Sequence, residues 1–248
     1  MKKRILIFSL FLFISACSQD TPVTVKPGKS GAHSSDEKIN FKLKIENISK
    51  ADVLKLSNSK TIGISFLPGS WTVYNKSNPF FTKGQKDNAE GLEDLSEDGD
   101  STKLETSAKK KDGYQSSGIF NTIKSGESIE VAFSASAGAK MSFATMFNQS
   151  NDLFYSTGAN GIELFDKDNE PVKGDFTTNV ILWDAGTEEN QEPGLGIDQA
   201  ARQTIKNTGK AENGVIREIT EVKDGFIYPK ASDVIKITLT NDDVHESK

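Results

Sequence analysis

The sequence predicts an all-β fold, an antiparallel β-sandwich of about eight strands. The first observation is alternation: apolar and polar residues take turns at 39–45, 129–133 and 235–239, which gives each segment one buried face and one wet face. The second is that helical periodicity is scarce and limited to short segments around 87–95 and 198–206. The third is the number of short strand patterns with turn-rich connections between them, which is typical of a sandwich.

Further strands are predicted from apolar runs of strand length. These occupy 61–67, 140–147, 161–165 and 179–183, and the segment 214–222 is a weaker candidate. The run NVILW at 179–183 is apolar on both faces, as expected for a central strand of a sandwich. Trp183 in this run is therefore interpreted as a core residue.

A long polar insert interrupts the strand pattern between Lys76 and Gln115. It is too long for a plain hairpin, and connections of this length tend to be functional or disordered. Trp71, Phe80 and Phe81 lie near its start and could form an exposed aromatic patch for a partner or a sugar. Because aromatic side chains contribute the largest buried areas in a sandwich, a core or loop-packing role is favoured for them.

The N-terminal segment has the pattern of a secretory signal. Three basic residues at 2–4 precede an apolar run that is too short to span a bilayer and ends in Ile-Ser-Ala-Cys at 14–17. This ending resembles the lipobox of bacterial lipoproteins, in which the cysteine becomes the acylated first residue of the mature protein. The resemblance implies lipidation at Cys17 and a firm membrane anchor. Because Ser18 follows rather than Asp, it also implies an outer membrane lipoprotein that faces the periplasm or the cell surface.

The rest of the chain is expected to form a tether, one domain and a tail. Residues 18–38 are polar and contain Ser, Pro and Gly, which is typical of a flexible tether. Residues 39–241 hold the strand patterns without a shift in composition, and 242–248 form a polar tail. Cys17 is the only cysteine, so the mature domain has no internal disulfide. Loss of the basic residues at 2–4 leaves 27 Lys and Arg against 35 Asp and Glu, a net charge of −8 that argues against a nucleic-acid partner.

Histidine usage excludes the commonest kinds of hydrolytic site. The chain has two histidines, His33 in the tether and His245 in the tail, and the domain cannot hold either in place. A Ser-His-Asp or Cys-His arrangement is therefore excluded, and zinc is disfavoured because its sites use His and Cys ligands. Paired carboxylates of the kind used in glycoside hydrolysis stay possible, but acids are so plentiful here that this signal is weak.

Two acid-rich segments could hold a hard cation such as calcium, which takes six to eight oxygen ligands. The segment DKDNEPVKGDFT at 166–177 offers Asp166, Asp168 and Glu170 at alternate positions. It has Pro where an EF-hand loop requires Gly and Thr where the loop requires its closing Glu. A turn between strands is the better interpretation of this segment.

The second acid-rich segment is LWDAGTEENQEPG at 182–194. Asp184 ends a strand, Gly186 permits a tight bend, and Glu188 lies four residues after Asp184. Asp152 follows the strand at 140–147, and the three carboxylates meet at one rim if these strands end on the same side. Like charges this close raise one another's pKa or require a cation among them. We therefore expect one Ca²⁺ ion bound by Asp152, Asp184 and Glu188.

Four segments give the chain a resemblance to a known family. They are GLEDLSEDGD at 91–100, KMSFATMFNQSNDLFYS at 140–156, GIELFD at 161–166 and LWDAGTEENQEPG at 182–194. Together they resemble the spondin-N (F-spondin) domain family of animal matrix proteins and bacterial secreted proteins and lipoproteins. The resemblance implies a β-sandwich similar to calcium-dependent membrane-binding domains, with calcium held at one end by Asp152, Asp184 and Glu188. The animal pattern has Asp at the position of Glu188, which implies an altered geometry or affinity.

These observations lead to one expected function and two alternatives. The expected function is that of a non-enzymatic, calcium-binding envelope lipoprotein that recognises or adheres to an envelope or extracellular protein or glycan. The ion could be structural or could recruit a ligand. One alternative is an envelope glycan hydrolase that uses paired carboxylates. The other is a purely structural surface protein whose insert at 76–115 makes the contacts. The adhesive and developmental roles of matrix spondins are not transferred, because their further disulfide-bonded repeats are missing here.

Overall fold

The computed structural model describes residues 37–242. The predicted signal segment, Cys17 with its lipidation, and nearly all of the tether and the tail lie outside the described residues. Within them, the chain forms thirteen strands: β1 Ile39–Asn47, β2 Leu54–Lys55, β3 Thr61–Ile62, β4 Phe66–Tyr74, β5 Tyr114–Phe120, β6 Ser128–Ala135, β7 Lys140–Phe147, β8 Leu153–Thr157, β9 Ile162–Glu163, β10 Gly174–Asp175, β11 Val180–Asp184, β12 Arg217–Glu218 and β13 Ile235–Asn241. Three short helices accompany them: α1 Leu92–Asp98, α2 Thr102–Ala108 and α3 Ala231–Val234.

The strands form two principal antiparallel sheets. One has the order β10-β13-β1-β6, and the other has the order β12-β11-β8-β7-β4-β5, with β9 also paired to β7. The main hydrophobic core takes side chains from both sheets, including Leu43 and Ile237 from the first and Phe143 and Tyr155 from the second. The predicted antiparallel β-sandwich is confirmed. Within residues 37–242, no helix has the length and hydropathy that crossing a membrane requires.

Hydrophobic alternation explains the first sheet. Every second residue of β1 is buried, from Ile39 to Asn47, while the residues between them are exposed or half-buried. β13 follows the same rule, and the two strands pair in a continuous register from Phe41 opposite Asn241 to Asn47 opposite Ile235. Alternation of this kind buries one face of an antiparallel sheet and leaves the other in water.

The central strands β7 and β8 of the second sheet are buried on both faces because the insert at 76–115 covers their outer side. Helices α1 and α2 form a second hydrophobic core there, in which Leu92, Leu95 and Leu104 pack with Trp183. The insert is therefore structured, contrary to a disordered loop, and its two seven-residue helices are too short to give a clear periodic signal. The core interpretation of Phe80, Phe81 and Trp183 is confirmed, and Trp71 is half-buried against the main core.

Some segment predictions were wrong, and their sequences explain why. The expected helix at 198–206 consists of turns and bends. The expected strand at 61–67 divides into β3 and the start of β4, and most of β4 was missed because Pro and Gly interrupt it at 68–69. The register of β4 against β7 shifts at that point, as in a β-bulge, which accommodates residues that break regular strands.

Candidate metal centre

Pairing of β8 with β11 brings two acids to one rim of the second sheet. The register places Leu153 opposite Asp184, so Asp152, the residue before β8, lies beside Ala185. The Ala185 N–H donates to the Asp152 carbonyl at 3.2 Å. The side chains of Asp152 and Asp184 are both fully buried. Two of the three acids named from the sequence thus meet at the place where these strands begin and end.

A third acid, Glu212, reaches the same place through a short ladder between 186–189 and 210–214. The Glu212 N–H donates to the Thr187 carbonyl at 2.9 Å, and the Gly214 N–H donates to the Gly186 carbonyl at 2.7 Å. One carboxylate oxygen from each of Asp152, Asp184 and Glu212 lies within 4.8 Å of the other two. We refer to these three residues as the acid group.

Gly186 allows the bend that closes this ladder. Its φ of 70° lies in the left-handed region, and a Cβ atom there would come within 2.8 Å of the backbone N and O of Val215. The Gly186 N–H also donates to Asp184 Oδ1 at 2.6 Å. The DAGT sequence therefore turns tightly enough to bring the following residues back over the start of β8.

Asp152 organises the loop with one carboxylate oxygen and leaves the other without a partner. Its Oδ2 accepts hydrogen bonds from the N–H groups of Thr187 at 2.8 Å and Glu188 at 3.1 Å, and from the Thr187 hydroxyl at 3.3 Å. Its Oδ1 is buried and has no hydrogen-bond partner among residues 37–242. Burial, reinforced by the negative charge of Asp184, raises the pKa of Asp152 well above its ordinary value.

Asp184 and Glu212 share a single basic side chain, that of Arg217. Asp184 Oδ2 accepts from Arg217 Nη2 at 3.0 Å and Nε at 3.3 Å, and from Asn190 Nδ2 at 3.0 Å. Arg217 Nη2 also donates to Glu212 Oε1 at 2.6 Å, whereas Glu212 Oε2 is buried and has no partner. Burial raises the pKa of Asp184, and the positive charge of Arg217 opposes this shift.

Glu188, the third acid expected from the sequence, makes other contacts in the structure. Its Oε1 accepts from the Gly209 N–H at 2.8 Å and its Oε2 accepts from Asn151 Nδ2 at 3.2 Å. Gly209 makes this possible, since a Cβ atom there would lie 2.0 Å from the Glu188 carboxyl carbon. The side chain is buried, and burial raises its pKa. Glu188 therefore neighbours the acid group, in which Glu212 is the third member.

One further acid reaches this rim from the insert. The side chain of Glu97, on α1, is buried. Burial raises the pKa of Glu97 to about 8, and the negative charge of Glu188 adds to the shift. The insert thus contributes a carboxyl group to the neighbourhood of the candidate site.

The acid group has the chemistry that a hard divalent cation requires. Three carboxylates and one guanidinium give it a formal net charge of −2. Two oxygens that bind one calcium ion at about 2.3–2.6 Å can lie up to about 5 Å apart, so a 4.8 Å spacing is compatible with a shared ion. Asp152 and Glu212 each carry one buried oxygen without a hydrogen-bond partner among residues 37–242, and a cation bound among the three carboxylates is one way to satisfy such atoms.

Sequence reasoning missed Glu212 and Arg217 because both lie far along the chain from Asp184. A signal was nevertheless present in the weak strand pattern at 214–222. The segment just before this pattern pairs with the residues after Asp184. This antiparallel pairing places Glu212 opposite Thr187. Assigning Glu212 to the acid group requires knowing this strand pairing, because the spacing of acids along the chain does not reveal it.

Comparisons with family models and with curated proteins found no relative whose site could be set beside the acid group. No model of a known protein family matches the chain, and no curated protein matches it. The resemblance to spondin-N domains therefore stays a prediction that rests on the four quoted segments. Two of these segments contribute Asp152 and Asp184 to the acid group.

Proposed function

We propose that this domain binds one calcium ion through Asp152, Asp184 and Glu212 and acts in recognition or adhesion at a bacterial envelope, without catalysis. The observation that carries the calcium site is the pair of buried, unpartnered oxygens, Asp152 Oδ1 and Glu212 Oε2, within an acid group of net charge −2. A buried polar atom without a partner costs about 1–3 kcal/mol, and more when it is charged. A bound cation removes this cost.

The position of the acid group supports a clamping role for the ion. Its three residues come from the start of β8, the end of β11 and the returning segment at 210–214. An ion shared by these residues would add a cross-link between segments that already pair through backbone hydrogen bonds. The clamp would fix the rim on which the buried side chains of Glu188 and Glu97 also lie.

A calorimetric titration tests the calcium site. The protein is freed of metal with a chelator, and calcium and magnesium are then added to wild type, to Asp152→Asn and to the control Asp168→Asn. Asp168 is exposed and pairs with Lys167, away from the acid group. We expect calcium binding in wild type and the control, and at least about a hundredfold weaker binding in Asp152→Asn. Absence of calcium binding in wild type would rule out the site.

The envelope location rests on the predicted lipidation of Cys17 and is tested separately. Cells that express wild type or Cys17→Ala are labelled with palmitate and fractionated. We expect label and membrane association in wild type, and neither in Cys17→Ala, because the variant lacks the acylated thiol. Equal membrane association of the two proteins would contradict the anchor.

Burial favours binding over glycan hydrolysis at this rim. The raised pKa of Glu97 is the property that a general acid needs, and it is the one observation that favours a hydrolase. A glycosidase, however, places two carboxyl groups on either side of an accessible sugar bond. Glu97 is 4% exposed, and Asp152 and Asp184 are not exposed at all. A sugar ring therefore has no access to these carboxyl groups.

A further inference from the structure

Arg217 enters the acid group from the strand beside Asp184. In the pairing of β11 with β12, Arg217 lies directly opposite Asp184. Its Nη2 atom contacts Asp184 Oδ2 at 3.0 Å and Glu212 Oε1 at 2.6 Å. The side chain of Arg217 is only 26% exposed, so water screens these contacts weakly. The guanidinium is therefore a cation held among the same carboxylates that are proposed to bind calcium.

Two of the six carboxylate oxygens of the acid group accept backbone N–H groups, and the other four fall into two sets, those that Arg217 contacts and those without a partner among residues 37–242. One oxygen of Asp184 and one of Glu212 accept from the guanidinium. Glu212 Oε2 and Asp152 Oδ1 have no partner. A guanidinium keeps its positive charge at every pH at which proteins are ordinarily folded, so it contributes +1 to the group at all times.

We infer that Arg217 is a built-in competitor for the ion, which weakens calcium binding and reduces the preference of the acid group for ions of charge three over ions of charge two. This inference rests on the proposed calcium site. Repulsion between a fixed guanidinium and an ion a few ångströms away opposes binding, and it opposes a trivalent ion more than a divalent one. Without an ion, the same guanidinium offsets the repulsion between Asp184 and Glu212 and stabilises the empty rim.

The experiment removes the charge of Arg217 while keeping a hydrogen-bond donor. Arg217→Gln does this, Arg217→Lys keeps the charge, and Arg202→Gln makes the same change in net charge at an exposed position of the loop between β11 and β12. The full-length chain of each variant is titrated with calcium and with terbium after chelation. Circular dichroism records the fold, and thermal melts in chelator record the stability of the metal-free state.

We expect Arg217→Gln to bind calcium about tenfold more tightly than wild type, and to gain still more affinity for terbium. Arg217→Lys should stay within about threefold of wild type because the positive charge remains. Arg202→Gln should change neither affinity, which separates a local effect from a change in net charge. In chelator, Arg217→Gln should melt at a lower temperature than Arg202→Gln. If Arg217→Gln is unfolded in chelator, the calcium concentration at which half of the protein is folded is measured by circular dichroism instead.

The outcomes distinguish this inference from the function on which it rests. Calcium binding by wild type with unchanged or weaker binding by Arg217→Gln would overturn the role of Arg217 and leave the calcium site in place. An equal gain for calcium and terbium would overturn the charge selection. Failure of every variant to bind calcium would overturn both the site and the inference.

Discussion

Two acid-rich segments of this domain differ in where their carboxylates find partners. In the acidic turn at 166–170, Asp166 Oδ1 accepts the N–H groups of Asp168 at 2.8 Å and Glu170 at 3.0 Å. Asp168 pairs with Lys167, and the turn is mostly exposed. In the acid group, by contrast, Asp152 and Asp184 are fully buried, and two carboxylate oxygens of the group have no partner.

The difference shows that acid density does not by itself indicate a cation site. Carboxylates in water, or capped by backbone N–H groups, are already stabilised and gain little from an ion. Buried carboxylates with unpaired oxygens are unfavourable until a cation or a proton satisfies them. Burial combined with an unpaired oxygen is therefore the feature that singles out the acid group from the acidic turn.

The largest expected contrast is in how calcium changes stability. Asp152→Asn should raise the stability of the metal-free protein at pH 8 by on the order of 2 kcal/mol, because it removes a buried charge that has one unpaired oxygen. The same variant should lose the calcium-dependent rise in melting temperature that wild type shows. Asp168→Asn in the acidic turn should change neither quantity. Thermal melts with chelator and with calcium measure both effects. If metal-free Asp152→Asn is less stable than wild type, the buried carboxylate is not unfavourable, and the distinction from the acidic turn fails.

The next contrast is a dependence on pH. Burial raises the pKa of Glu97 to about 8 and that of Asp152 well above its ordinary value, so the folded protein holds protons that the unfolded chain has released. The metal-free protein should therefore lose stability, on the order of 2 kcal/mol, as pH rises from about 5 to about 8. Glu97→Gln should reduce this loss, since it removes one of the titrating groups. Urea unfolding in chelator at several pH values measures this loss of stability. A free energy of unfolding that rises over this pH range would contradict the raised pKa values.

A smaller difference, in calcium affinity, is expected between a variant of Glu212 and a variant of Glu170 in the acidic turn. Glu212→Gln should weaken calcium binding by about tenfold, because an amide oxygen is a poorer calcium ligand than a carboxylate. Glu170→Gln should leave calcium affinity unchanged, since Glu170 is outside the acid group. Calorimetric titration of both variants makes the measurement. Equal calcium affinities of Glu212→Gln and Glu170→Gln would show that Glu212 is not a ligand. Glu188 would then be the candidate for the third ligand.

The sequence predicted the sandwich because alternation is a local signal that each strand carries by itself. It also predicted that Asp152 and Asp184 meet if their strands end on the same side, and the antiparallel pairing of β8 with β11 places the start of one strand beside the end of the other. Glu212 depends on the pairing of 186–189 with 210–214 and Arg217 on the pairing of β11 with β12, and the weak strand pattern at 214–222 does not identify the partner of that segment. The burial of Glu97 depends on how the insert packs against the sheet, which is a tertiary property.

The smallest expected effect tests whether the acidic turn has a role of its own in the fold. Asp166→Ala removes the side-chain acceptor for the N–H groups of Asp168 and Glu170, which should cost about 1 kcal/mol of stability. Calcium affinity should not change, because the turn contributes no residue to the acid group. Chemical denaturation and calorimetry on the same sample measure the two quantities together. A loss of calcium affinity in Asp166→Ala would mean that exposed, backbone-capped acids also bind the ion, and the distinction between the two segments would fail.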